Sequence, residues 1–173
     1  MKVNSKAPQN YLSTLLKTIS DPSIGLSNDV FRFISQVTPL INVDLLINDP
    51  AKGTLLTWRD DEFYGPGWHV PGGIIRFKEP AETRIMKVAE SELGITVIFE
   101  KKPIEVNEIM NKNRNIRGHF ISLLYSCKLT SSLSEEFFFR QENPTNGYWK
   151  WFENCPDNLI YQHEIYRPHI GLI

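Results

Sequence analysis

A single carboxylate, Glu92, stands out because of its position on a predicted helix. The segment EPAETRIMKVAESELG (79–94) predicts a helix, because Pro80 suits a first helical turn and Gly94 stands where a helix ends. At about 100° per residue, one stripe of this helix holds four residues: Ala81, Ile85, Val88 and Glu92. An ionised carboxylate without a partner is costly to bury, so Glu92 either reaches water at the helix end or serves a ligand.

The chain just before this helix offers a second oxygen ligand. Pro71-Gly72-Gly73 interrupts the apolar segment 68–75 with a step that no regular strand would choose. A backbone carbonyl turned out of the sheet there, together with the Glu92 carboxylate, is a ligand set that Mg²⁺ accepts. Such an ion keeps positions free for water and for substrate phosphates.

The spacing of these residues strengthens the pattern. Five residues separate Gly73 from Glu79, seven more lead to Lys87, and the segment ends at Gly94 and Ile95. This resembles the Nudix box, the loop-helix-loop signature of hydrolases that act on nucleoside diphosphates linked to another group. Lys87 replaces the arginine of that pattern. Val88 and Ser91 occupy two positions where most members carry metal-binding glutamates, so Glu92 is the carboxylate that remains.

One branch of that family shows the same loss of helix carboxylates. The sequence resembles the GDP-mannose mannosyl hydrolases in ending the helix with Ser91-Glu92-Leu93-Gly94. The resemblance continues upstream in three segments: 38–44, Trp58-Arg59 and 67–73. In that branch water attacks the anomeric carbon of the sugar, and one Mg²⁺ neutralises the departing diphosphate. The resemblance therefore implies a nucleoside-diphosphate sugar as substrate, Mg²⁺ or Mn²⁺ as cofactor, and a homodimer.

The resemblance also implies roles for matching residues. Gly72 would offer its carbonyl and Glu92 its carboxylate to the metal, while Glu79 and Lys87 would form a structural pair. Arg59 would bind the leaving diphosphate, since a guanidinium stays charged and binds phosphate bidentately. Asp44 would position the substrate or an arginine, although an acid facing solvent from an edge strand is the alternative for this residue.

Three positions depart from the branch. The arginine expected directly after the glycine pair is Ile74, and Arg76, two residues on, is the candidate replacement. His119 matches a strand histidine of the branch, but Phe120 stands where the branch has a tyrosine. The loop 141–146 lacks the histidine that supplies the general base, which leaves Glu142 as the nearest candidate, with a solvated loop acid as its alternative.

The remaining polar and aromatic clusters allow two interpretations each. His69 is expected in the core or behind the ligands, and His163 and His169 on the surface, with the alternative that His163 and Arg167, one helical turn apart, face the site. The basic loop with Lys112, Arg114 and Arg117 is either solvated or a mobile lid that binds phosphate. The aromatic residues are expected to form core or dimer interface, or a stacking wall for a nucleobase: Phe137, Phe138, Phe139, Trp149 and Trp151.

The elements that must position these residues form one domain. Residues 1–38 are expected to be an N-terminal extension with short helices at 11–19 and 28–37, and residues 39–173 a Nudix domain with its box at 73–95. The hydrophobic pattern predicts these further elements: strands at 41–48, 54–58, 95–99, 119–129 and 147–152, a possible edge strand at 136–140, a mobile loop at 107–118 and a closing helix at 156–169. We expect an α/β protein, a Nudix-type α/β/α sandwich with a mixed sheet.

Composition excludes several other classes. The chain has 173 residues, with 19 Lys+Arg against 20 Asp+Glu and a net charge of −1, which argues against a nucleic-acid partner. It shows no apolar run long enough for a membrane span and no signal-peptide pattern. Two cysteines in a chain of this size are not needed as a disulfide framework, so a cytoplasmic location is expected.

Two other functions compete with hydrolysis at the sugar carbon. A pyrophosphohydrolase would attack phosphorus, but a multi-metal site needs more carboxylates than this helix provides. A binding module would sense a nucleotide sugar without turnover, and the missing loop histidine and Ile74 favour that alternative.

Overall fold

The structure is a computed structural model that describes residues 9–140 and 143–172. Its helices and strands follow the chain in this order: α1 Gln9–Lys17, α2 Asn28–Val37, β1 Leu40–Asp49, β2 Gly53–Arg59, β3 Gly67–His69, β4 Gly72–Ile74, α3 Ala81–Val88, β5 Val97–Phe99, β6 Glu105–Met110, β7 His119–Leu129 and β8 Trp149–Phe152. A π-helical turn, Ala89–Leu93, continues α3, and 3₁₀ segments cover Glu135–Phe137 and Tyr161–His169.

Strand β1 belongs to two sheets. Along its first part it pairs in parallel with β7 and antiparallel with β4. It pairs with β2 only at its end, where Asn48 faces Thr54 and Asp49 faces Gly53. Strands β3 and β8 flank β2, and β5 and β6 pair with β7. Because β2 leaves β1 after this short pairing, a gap opens between the two sheets.

Alternate residues of β1 pack into separate cores on the two faces of the sheet. Val43, Leu45 and Ile47 face a core that includes Ile85 and Val88 of α3. Leu46 faces the other core, which the C-terminal 3₁₀ segment covers. A strand with both faces buried needs apolar residues in a nearly continuous run, as in LINVDLLIN. The predicted α/β fold, a sandwich around a mixed sheet, is confirmed.

Several elements match their predicted bounds, and others differ. The predictions for α2 and β7 are correct to the residue. The predicted mobile loop is wrong at 107–110, since these residues belong to β6 and pair with β7. The possible edge strand at 136–140 is wrong as well, because the chain forms a 3₁₀ turn there with an isolated bridge from Phe138 to Trp149. The closing helix begins later than predicted and is 3₁₀ in type.

Helix α2 packs on the domain body. Phe31 and Ile34 lie against a small cluster formed by Leu40, Tyr64 and Phe120. The N-terminal extension therefore contributes to the same packing unit as the strands that follow it. Among the described residues, no helix is long and apolar enough to cross a bilayer.

Candidate functional site

A cavity of about 340 Å³ lies in the gap between the two sheets. Strand β1 contributes Asn42 and Asp44, and β2 contributes the segment 57–59. The glycines of β4, the π-helical turn after α3 and the loop before β7 complete much of the wall. Four of the residues singled out by the sequence line this cavity together: Asp44, Arg59, Gly72 and Glu92.

Glu92 is the acidic residue of the helix region that reaches the cavity. Its Oε2 accepts a hydrogen bond from the Thr57 hydroxyl at 3.2 Å, and its Oε1 accepts one from the Gly72 amide at 3.2 Å. The side chain is 26% exposed. The turn that carries it ends at Gly94, whose positive φ of 69° allows the helix to stop as the sequence predicted. A short π-helical turn is a frequent device for placing a functional side chain.

The glycine pair lets β4 approach β1 closely. A Cβ on Gly72 would lie 2.1 Å from the Asp44 Oδ1, and a Cβ on Gly73 would lie 2.7 Å from the Val88 Cγ2. The Leu45 amide donates to the Pro71 carbonyl at 2.8 Å, so the polar groups of Gly72 point away from β1. In an antiparallel strand the N–H and C=O of one residue point to the same side. The Gly72 carbonyl therefore lies on the side where its amide meets Glu92.

The donor set at this place fits a hard cation. Glu92 has no lysine or arginine partner among the described residues, and a carboxylate plus a carbonyl oxygen suits Mg²⁺, which keeps waters and substrate phosphates as its other ligands. Val88 is buried in the core and Ser91 donates to the Val88 carbonyl at 3.3 Å. Across the described ranges, no group of three or more His, Cys, Asp or Glu is arranged to hold a metal. The Gly72 carbonyl and the Glu92 carboxylate are oxygen donors of the kind that a single Mg²⁺ accepts beside water and substrate phosphates.

Two buried histidines, His69 and His163, line the same cavity as Glu92. The His69 Nδ1 lies 2.8 Å from the Thr57 carbonyl, so this nitrogen carries the proton in the neutral ring. The His69 Nε2 lies 3.4 Å from the Glu92 Oε2. The Val70 amide donates to the His163 Nδ1 at 3.0 Å, which places the proton of neutral His163 on Nε2. Burial, helped by His69 and Arg59, holds the pKa of His163 well below its ordinary value.

Asp44 is held in the floor of the cavity by three donors. Its Oδ2 accepts hydrogen bonds from the Tyr166 hydroxyl at 2.6 Å, from the Asn42 amide at 2.9 Å and from the Ser122 hydroxyl. Burial raises the pKa of Asp44, and these three hydrogen bonds act in the opposite direction. The solvent-facing alternative for Asp44 is wrong, since the residue is 1% exposed.

Arg59 lies at the end of β2 in a fixed orientation. Its Nε donates to the Asp61 Oδ2 at 2.6 Å, and its guanidinium carbon lies 4.6 Å from the centre of the Tyr64 ring. The other oxygen of Asp61 accepts the amides of Phe63 and Tyr64 at 2.7 and 2.9 Å. Burial raises the pKa of Asp61, but these hydrogen bonds and Arg59 outweigh it and leave the pKa lowered. Arg59 thus presents a positioned cation to the cavity.

Glu79 joins the loop before α3 to the helix itself. Its Oε1 lies 3.0 Å from the Lys87 Nζ, and its Oε2 lies 2.6 Å from the Arg84 Nη2 and accepts the Arg76 amide at 3.0 Å. The pair between Glu79 and Lys87 forms as the resemblance implied. Arg84 was missed, although it sits three residues before Lys87 and hence on the same helix face.

Two predicted substrate residues lie elsewhere. The Arg76 guanidinium donates to the Ile24 carbonyl in the segment before α2, on the exposed side of the loop. The His119 Nε2 lies 3.0 Å from the Glu108 Oε1, in a separate groove beside the end of α2. Neither residue lines the cavity that holds Glu92, so neither is placed to meet a substrate there. Glu142, the candidate base, lies outside the described residues.

Of the two positions expected for His163, the surface is wrong, and the residue faces the cavity. This residue is 8% exposed and lines the cavity because the C-terminal 3₁₀ segment folds over β3. Its contact with Val70 has no local sequence signal, since the two residues lie 93 positions apart. The aromatic residues are core in part: Trp149 packs on Phe138 with ring centres 4.8 Å apart, and Phe139 packs on Trp68.

Comparison with known proteins identifies the fold. No family model matches the sequence. A crystal structure of UDP-X diphosphatase aligns with a TM-score of 0.55 at 22% identity, over 92% of this chain and 73% of that one. A MutT Nudix hydrolase from Burkholderia pseudomallei aligns with a TM-score of 0.55 at 20% identity, over 76% of this chain and 98% of that one. The chain therefore has the Nudix fold.

One curated protein matches in sequence. The low-salt glycan biosynthesis protein Agl8 of Haloferax volcanii is 33% identical over 81 residues, which are 47% of this chain. The chain spans about half, 51%, of the length of this relative.

Proposed function

We propose that this protein is a Mg²⁺-dependent hydrolase of a nucleoside-diphosphate sugar, in which water attacks the anomeric carbon of the sugar. The observation that carries the proposal is the position of Glu92, the carboxylate of the helix region that meets the Gly72 backbone at the cavity wall. The relative named for glycan biosynthesis supports a sugar-linked substrate. The Nudix fold supports hydrolysis of a diphosphate compound.

The proposed division of labour follows from the cavity. Glu92 and the Gly72 carbonyl would hold Mg²⁺, or Mn²⁺ in its place, and the ion would supply positive charge to the departing diphosphate. Arg59 would bind the same diphosphate, because its guanidinium is held toward the cavity by Asp61. Neutral His163 would offer a hydrogen-bond donor on the cavity wall. Asp44 would fix the floor against which the substrate lies.

The reaction exchanges one bond for another. A bond forms between the water oxygen and the anomeric carbon, and the bond from that carbon to the diphosphate oxygen breaks. The electron pair leaves with the nucleoside diphosphate, and the water loses a proton to a base. The buried Val88 and the serine at position 91 support a single-metal reaction of this type over attack at phosphorus, which uses more carboxylates.

Hydrolysis in ¹⁸O-labelled water tests the proposal directly. The protein would be incubated with Mg²⁺ and GDP-, UDP- or ADP-linked hexoses, and both products would be analysed by mass spectrometry. We expect the label in the sugar. Label in the phosphate product would instead show attack at phosphorus, and tight binding without any product would show a sensor.

Substitution of Glu92 tests the metal assignment. Glu92→Gln is expected to lower turnover by at least about 100-fold, since it removes the carboxylate that would hold the ion. Glu90→Gln is the matched control, because Glu90 is an exposed glutamate of the same turn that does not line the cavity. Full activity of Glu92→Gln would refute the assignment. The homodimer and the cytoplasmic location belong to the same proposal and await sedimentation and localisation experiments.

A further inference from the structure

Three arginines surround one aromatic ring at an edge of the cavity. The guanidinium carbons of Arg59, Arg114 and Arg117 lie 4.6, 4.9 and 4.9 Å from the centre of the Tyr64 ring. Arg59, Tyr64 and Arg117 line the cavity that also holds Glu92, whereas Arg114 stacks on the same ring from the neighbouring groove beside α2. We call these four residues the Tyr64 arginine cluster. Aromatic stacking of this kind stabilises each cation but leaves its charge in place.

The positive charge of this cluster is not balanced by the protein. Asp61 is the acid that pairs with the cluster, and it already accepts Arg59 and two backbone amides. Arg114 and Arg117 have no carboxylate within ion-pair distance among the described residues. The Arg114 Nη1 and the Arg117 Nε are buried without a hydrogen-bond partner in that part of the chain. Three cations therefore face one anion.

Several contacts within the protein hold Arg117 in its orientation. Arg117 adopts a positive φ of 52°, which is uncommon for a residue with a side chain. The Tyr64 hydroxyl donates to the Arg117 carbonyl at 3.1 Å. At the base of the loop between β6 and β7, the Asn111 amide donates to the Gly118 carbonyl at 2.7 Å. The Arg117 guanidinium also lies 4.9 Å from the Phe63 ring. Its orientation is thus fixed before any ligand arrives, which lowers the entropic cost of binding.

Repulsion among the cations adds to the cost of this arrangement. Burial lowers the pKa of Arg117, and the nearby Arg59 lowers it further, while Asp61 acts in the opposite direction. Packing alone does not require this charge, because an uncharged side chain could cover the same aromatic surface. An oxyanion would relieve both the repulsion and the missing hydrogen bonds.

We propose that Arg117, with Arg114 stacked on the same Tyr64 ring, forms an oxyanion subsite for a second anionic group of the substrate, beyond the phosphate that Arg59 and the ion held by Glu92 would bind. This inference rests on the proposed function and deepens it. The group is either the other phosphate of the diphosphate or a carboxylate on the sugar, since a guanidinium binds both in the same bidentate way. The subsite thus selects substrates with two separated negative groups.

Binding measurements on variants test the subsite. Isothermal titration calorimetry with Mg²⁺ would compare three probes: inorganic pyrophosphate, a nucleoside-diphosphate hexose and the matching hexuronate. Arg117→Gln is expected to weaken binding of an affected probe on the order of 10-fold or more, the loss of one charge-assisted hydrogen bond. Arg114→Gln provides a second variant if the first does not fold. Arg32→Gln is the matched control, because Arg32 also packs near Phe63 but is paired with Glu62 and does not line the cavity.

The pattern of losses identifies the source of the anion. A similar loss for all three probes assigns the subsite to the diphosphate. A loss confined to the hexuronate assigns it to a sugar carboxylate. Unchanged affinity of both variants for all three probes overturns the proposal.

Turnover separates this proposal from the proposed function. If the wild-type protein hydrolyses a nucleotide sugar while Arg117→Gln and Arg114→Gln bind every probe normally, the subsite alone is refuted. If no nucleotide sugar is hydrolysed but pyrophosphate binding depends on Arg117, the subsite stands and the hydrolase proposal fails.

Discussion

Replacing Glu79 by glutamine probes the ion-pair cluster that fixes α3 to the loop before it. The Glu79 side chain is 4% exposed and contacts Arg84 and Lys87. Burial would raise the pKa of Glu79, but hydrogen bonds from the Arg76 amide, Lys87 and Arg84 outweigh it and hold the pKa at about 2, against an ordinary value of 4.5. A carboxyl group whose pKa is lower in the folded state stabilises the fold above its unfolded pKa. That stabilisation is lost as the pH falls through the folded pKa.

The expected size follows from those two pKa values. At about 1.4 kcal/mol per pKa unit, ionised Glu79 contributes about 3 kcal/mol to the free energy of unfolding at pH 7. At pH 3 the unfolded carboxyl group is almost fully protonated while the folded one is mostly ionised, and about 1.4 kcal/mol remains. Glu79→Gln is therefore expected to be less stable than the wild type by about 3 kcal/mol at pH 7, with the deficit falling by about half at pH 3.

Urea unfolding followed by tryptophan fluorescence at the two pH values measures this deficit. Arg84→Met is expected to cost more than Lys87→Met, because the Arg84 side chain is 11% exposed and that of Lys87 is 48% exposed. A deficit for Glu79→Gln below about 1 kcal/mol at pH 7, or one that is equal at both pH values, would show that the ion pairs do not stabilise the fold in this way.

Three further substitutions test the backbone and the cavity floor. Gly72→Ala would place a Cβ 2.1 Å from the Asp44 Oδ1. The variant should lose at least about 2 kcal/mol of stability in urea unfolding and should not hydrolyse substrate. Wild-type stability and wild-type activity would contradict the close approach of β4 to β1. The Cβ of Gly94→Ala would meet no atom within 4 Å, but it would place a side chain on a residue with positive φ. This variant should lower the free energy of unfolding by about 1 kcal/mol. A stabilised variant would refute the left-handed helix end. Tyr166→Phe removes a donor from Asp44 and should cost about 1–2 kcal/mol in the same assay, whereas no loss would show that Ser122 and Asn42 suffice.

Local patterns in the sequence were enough to find the helix and its glycines. The residues from Pro80 to Gly94 predicted both the helix that carries Glu92 and the place where that helix ends, because each depends on residues within a few turns. Strand β6 was missed because its segment is rich in asparagine and charged residues, which favour a loop. Its own sequence, EVNEIM, does alternate polar and apolar residues as a strand would. Its pairing with β7 decided its structure.

The cavity itself lay beyond sequence reasoning. It exists because β2 leaves β1 after two residue pairs, and because the C-terminal segment folds back to place His163 beside Val70. Both features depend on contacts between distant parts of the chain. Arg76 and His119 were wrongly placed for the same reason: family position assigned them to the substrate, whereas long-range packing turned them toward Ile24 and Glu108.

The bond between the Tyr166 hydroxyl and Asp44 has a consequence for the order of folding. It joins residues 122 positions apart, and β1 must also wait for β7 to form their parallel pairing. Contacts of such wide separation form late, since closing long loops is entropically costly. In a chain still growing on the ribosome, the cavity floor is therefore complete only after Tyr166 has been synthesised and has left the exit tunnel. Substrate binding would then report on completed folding of the whole domain.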